Sequence, residues 1–154
     1  MKLSGFVYLL IIIFFSGCAS SNAFTKFHIS SNRQYAFSNF QLSDISYKQR
    51  SIGTIEAIYL NNIFPKRYNH DEYFYVVVYL RSNQALKYTL NEHNSLQVTK
   101  LAKHNHFSSL LPIIDNWHKY YLVKFKHIAN ENLVFRAKQA NFLSYPLKYL
   151  KTLR

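Results

Sequence analysis

Three observations place this chain in the all-β class. After residue 50, apolar and polar residues alternate with period two in several short runs, the pattern of strands that bury one face. Polar clusters rich in asparagine separate the runs at intervals of about 8–12 residues, the punctuation of antiparallel β proteins. The composition, 49% hydrophobic and 18% aromatic over 154 residues, supplies enough apolar surface for one folded core and excludes the disordered class.

In chain order, the first element is an export signal. Lys2 is followed by Phe6 to Phe15, a run without charge or turn former. A membrane-spanning helix needs about 20 apolar residues, so this run suits the core of a signal peptide rather than a permanent span. It ends at Phe15-Ser16-Gly17-Cys18, which resembles the lipobox of bacterial lipoproteins, with Phe15 where that family prefers Leu. The chain's single cysteine stands at the lipobox position. The resemblance implies a type II signal peptide over residues 1–17, cleaved between Gly17 and Cys18. It also implies diacylglycerol on the Cys18 sulfur and acylation of the new amino group. One acyl chain holds a protein reversibly, whereas two or three hold it stably. In the same family an Asp after the Cys retains many proteins at the inner membrane. Ala19 stands there instead, which implies a lipid-anchored protein at the outer membrane, facing the periplasm. The resemblance ends near residue 20 and implies nothing about the fold beyond it. Residues 18–33 are polar and read as a flexible tether.

Residues 34–154 read as a single β-rich globular domain. Ile55, Ala57 and Tyr59 alternate with Glu56, Ile58 and Leu60. Tyr73 to Leu80 is continuously β-branched, aromatic or Leu, which predicts a central strand buried on both faces. Leu86, Tyr88 and Leu90 alternate with Lys87 and Thr89, and Leu96 and Val98 with Gln97 and Thr99. Residues 102–118 break the series and read as a crossover loop or a short helix. Tyr121, Val123, Phe125 and His127 then face opposite to Lys124 and Lys126, and Leu133, Phe135 and Ala137 opposite to Arg136 and Lys138; these two runs read as a hairpin. Gly53 is the only glycine after residue 17, and asparagine, the next residue most tolerant of the left-handed conformation, is expected to make the turns. Together the runs predict a small antiparallel β-sandwich of the immunoglobulin-like or transthyretin-like kind, or else a small barrel. In the tail, Pro146 precedes Leu147, Leu150 and Leu153, with Lys148, Lys151 and Arg154 between them. This reads as a short C-terminal helix or a last strand.

Little in the chain suits catalysis. Its seven carboxylates form no pair in a recognisable catalytic context, and neither a nucleophile elbow nor a glycine-rich phosphate loop is present. His104 and His106 would share one side of a strand, yet spacing fixes no third ligand, so neither a metal site nor a cofactor is expected. Asn69-His70-Asp71-Glu72 reads as a polar turn ahead of the central strand. The formal charge of +12 would suggest nucleic acid in a cytoplasmic protein, but export directs it toward anionic envelope components instead. The expectation is therefore a non-enzymatic, membrane-anchored lipoprotein that serves as a structural or adaptor module with an envelope protein partner. The alternative is a lipoprotein that binds a small anionic or lipidic ligand.

Overall fold

A computed structural model of the chain describes residues 31–152, apart from Asn83 and Pro112. Helix α1 (Ser31–Ser38) leads into β1 (Phe40–Tyr47) and β2 (Arg50–Tyr59), then a single helical turn α2 (Leu60–Ile63) and β3 (Glu72–Leu80). Strands β4 (Lys87–Leu90), β5 (His93–Asn94) and β6 (Gln97–Leu101) follow, then β7 (Lys119–Phe125), β8 (Asn132–Gln139), β9 (Phe142–Ser144) and β10 (Leu147–Leu150). All pairings are antiparallel, in the order β5-β4-β8-β9-β1-β2-β3-β7-β6, with β10 paired to β8. The all-β expectation holds, in the form of one curled antiparallel sheet.

The curl creates two cores, and β3 belongs to both. Phe74, Val76 and Val78 face a cluster that includes Ile55, Val123, Phe125, Leu133, Phe135 and Tyr149. Tyr75 and Val77 point the other way, into a second cluster with Ile58, Leu60 and Tyr120. That second face is covered by Ala36 of α1, Ile63 of α2, and Phe107, Leu110 and Leu111 of the 102–118 loop. A strand buried on both faces cannot alternate apolar with polar residues, which is why Tyr73 to Leu80 is continuously apolar.

The structure revises several expectations. The β7 and β8 runs do not form a hairpin: β7 pairs with β3 and β6, β8 with β4, β9 and β10. Both turn apolar faces to the same core from opposite sides, and alternation reports which face is buried, not which strand lies alongside. The tail is the last strand rather than a helix, since Leu147 and Tyr149 are buried while Lys148 and Leu150 are exposed. Residues 31–33, expected to belong to the tether, lie in α1. Asparagine makes only part of the tight turns. Lys48, Gln49, Asn91, Glu92 and Ala140 carry positive φ, so that the β1–β2 hairpin turns on Lys48-Gln49 without Asn or Gly.

Gly53 serves a different need. It lies opposite Ile45 next to a bulge at Ile52 of β2, where Ser46 pairs with Ser51, and a Cβ built on it would sit 2.2 Å from the Tyr79 backbone oxygen. That backbone cannot swing aside as a flexible side chain would. Gly53→Ala is expected to cost about 1–3 kcal/mol through forced backbone shifts, read as a lower urea midpoint. An unchanged midpoint would show that β2 and β3 lie further apart there.

Candidate functional site

Gly17 and Cys18, the residues expected to flank the cut and carry lipid, lie outside the described residues. His104 and His106 stand exposed on the 102–118 loop. Among the described residues, no group of three or more His, Cys, Asp or Glu side chains could hold a metal ion.

The polar turn before β3 proves to be structural. Lys124 Nζ lies 2.9 Å from Asp71 Oδ2 and sits over the Tyr73 ring. The hydrogen bond from Lys124 leads in holding the Asp71 carboxyl below the usual carboxylate range.

Glu72 opens β3 with its side chain 1% exposed, and donors from several elements converge on it. Tyr59 Oη donates to Oε2 at 2.5 Å, Lys151 Nζ to Oε1 at 2.5 Å, and the Ile128 N–H to Oε1 at 3.1 Å. The His127 Nδ1 lies 3.1 Å from Oε1. Burial alone would push the Glu72 pKa up, but the bonds from Lys151, Tyr59 and Ile128 together outweigh it, and the carboxyl lies below its usual range. Asn62 extends the network. Its Nδ2 donates to Asn39 Oδ1 and to the Leu150 carbonyl, and its Oδ1 accepts from the Thr152 N–H. One end of the sheet is thus tied to the chain's last described residues. The cleft above it, about 310 Å³, is lined by Tyr59, Asn61, Glu72, His127, Glu131 and Lys151 among others. Among the described residues Lys151 is the one lysine of the lining, and it is already committed to Glu72. The arrangement neutralises a buried carboxylate, and among the described residues the one lysine of the lining is engaged in doing so.

The second feature is a sheet edge. β6 ends the strand path and pairs only with β7, so among the described residues no strand pairs with its other edge. Gln97 to Lys100 are exposed and Leu101 half-buried. Leu96 and Val98 add apolar side chains that are 61% and 43% exposed. The alternation of Leu96 and Val98 correctly indicated a strand, but it suggested burial where the structure has an open edge. Such an edge presents unpaired backbone donors and acceptors, which an extended segment of another protein can complete.

Comparison with known proteins gave no match: no protein family, curated protein or solved structure matches this chain.

Proposed function

We propose that the chain is a lipoprotein of the bacterial cell envelope, held at the outer membrane by lipid on Cys18, whose β domain is a non-enzymatic adaptor. In this reading an extended segment of an envelope protein adds to the free edge of β6. The observation that carries it is that edge: exposed from Gln97 to Lys100, with no strand on its other side among the described residues, and bearing the exposed apolar side chains of Val98 and, just before it, Leu96. Lys100, the penultimate residue of the strand, discourages indiscriminate pairing, a common device on natural edges. We also read the curled sheet as a small sandwich, its layers meeting where the Phe74 and Phe135 rings approach to 4.9 Å between centroids.

The Glu72 cleft gives the alternative, a small-ligand module, little support, because its lysine is already paired. A photo-crosslinking amino acid at Val98 tests the adaptor reading in cells that express the full chain. The expected result is a discrete adduct with one envelope protein from Val98 and none from Lys148 on the exposed face of β10. No adduct from Val98, or equal yields from both positions, would remove the β6 reading.

A further inference from the structure

The 102–118 loop closes the second core on its inner side, and on its outer side it carries a combination that core packing does not require. Trp117 is 76% exposed and Ile114 42% exposed. An indole left almost wholly in water costs hydration free energy unless something covers it. Asp115 fixes the backbone of this turn, its Oδ1 accepting the backbone N–H groups of Trp117 at 2.8 Å and of His118 at 2.9 Å. Beside this turn lies a cleft of about 380 Å³ whose lining includes Lys100, Lys103, Lys119 and His118.

The charge balance of the cleft is one-sided. Its only carboxylate, Asp115, accepts the two backbone bonds and lies 2.7 Å from His118 Nδ1. Lys103 donates to the neutral Asn116 amide at 2.9 Å, which positions the ammonium without cancelling its charge. Glu56, a carboxyl on which the His118 charge also acts, is buried, and burial pushes its pKa up. Lysines grouped beside an exposed Trp and Ile match the two zones of a membrane surface. Ammonium groups meet headgroup phosphates, and the amphipathic indole sits at the boundary with the acyl chains.

We infer that the cleft formed by Lys100, Lys103 and Lys119, together with Trp117 and Ile114, is a docking surface for an anionic lipid membrane. It orients the β domain against the bilayer, and it does not depend on the lipid at Cys18 or on the β6 reading. The two surfaces adjoin: Lys100 belongs to β6 and also lines the cleft, while Lys103, Ile114 and Trp117 lie on the loop that follows the strand. An acidic protein face would also satisfy the lysines, but it offers no apolar layer for Trp117 and Ile114.

Tryptophan fluorescence tests this directly. Trp117 is the chain's only tryptophan, so emission reports on this loop whatever the amino terminus does. The full-length chain is mixed with phosphatidylglycerol vesicles or phosphatidylcholine vesicles, each with and without brominated acyl chains. Docking predicts a blue shift and bromine quenching with phosphatidylglycerol, both largely lost with phosphatidylcholine, at high salt, or in a Lys103→Gln/Lys119→Gln variant whose circular dichroism matches wild type. Unchanged emission with phosphatidylglycerol would overturn the proposal. Equal quenching in both lipids, or in wild type and variant, would overturn the role of the lysines. A shift reproduced by soluble polyglutamate, without bromine quenching by vesicles, would assign the surface to an acidic polypeptide instead and overturn the lipid assignment.

Discussion

Val76→Asp is expected to abolish folding. Val76 is fully buried in the core shared by both sides of the curl, on a strand paired to β2 on one side and β7 on the other. A carboxyl there enters a cluster dominated by Ile55, Phe74, Val123 and other apolar side chains, in which the Tyr59 and Tyr149 hydroxyls already donate to Glu72 and to the Ala57 carbonyl. Leaving such a group unpaired costs several kcal/mol even after its pKa rises, a large part of the ~5–15 kcal/mol that holds a typical domain together. Circular dichroism and proteolysis should report a largely unfolded chain. Lys126→Ala, at an exposed position just beyond β7, is the control and should change stability by less than about 0.5 kcal/mol. A folded Val76→Asp protein would place β3 at the surface.

Glu72→Ala should have the next largest effect. It leaves Lys151 with the Ile128 carbonyl but without its carboxylate partner, and removes the acceptor of the Tyr59 hydroxyl and the Ile128 N–H. Breaking a buried ion pair from one side costs about 3–5 kcal/mol. The loss should also depend on pH. The folded-state pKa of Glu72 lies below its ordinary value of 4.5, so its contribution is complete above that value and fades as pH falls through the folded pKa. In urea titrations, the gap between wild type and Glu72→Ala should be widest near pH 7 and should narrow below pH 4.5. A gap that is constant with pH would mean that the carboxylate's charge contributes nothing and only its packing matters.

How legible each part was in the sequence follows from what alternation can encode. The central strand was plain because burial on both faces demands an unbroken apolar run. β8 was plain because it hides one face, and β2, β4 and β7 because period-two alternation marks the residues that face the first core, although Ile58 of β2 and Tyr120 of β7 also reach the second. β1 was not, since its exposed Leu42 and buried Ser43 invert the expected polarity and its turn uses Lys48 and Gln49 at positive φ. Ser43 tolerates burial because its hydroxyl donates to the Tyr145 carbonyl, a partner 102 residues away that no local pattern announces. The tail was ambiguous because three leucines at spacing three mimic a helix, whereas the decisive residue is Tyr149, whose hydroxyl reaches the Ala57 carbonyl inside the core. The Glu72 network was hidden for a related reason. Its members come from β2, β3, the β7–β8 link and the carboxyl-terminal segment, and in sequence Glu72 looks like the polar end of a turn. The open edge at β6 was not legible either, because exposure of a strand edge depends on strand order, which periodicity does not encode.

The proposed lipoprotein function depends on Cys18 as the attachment point to the membrane, and metabolic labelling tests it most directly. Wild-type and Cys18→Ser chains are expressed in a bacterium with two membranes and fed radiolabelled palmitate. The wild-type chain should take up label and fractionate with the outer membrane, and Cys18→Ser should take up none and remain at its precursor length. Equal labelling of the two chains, or an unlabelled wild type, would contradict the lipid anchor and leave the β domain without its proposed attachment.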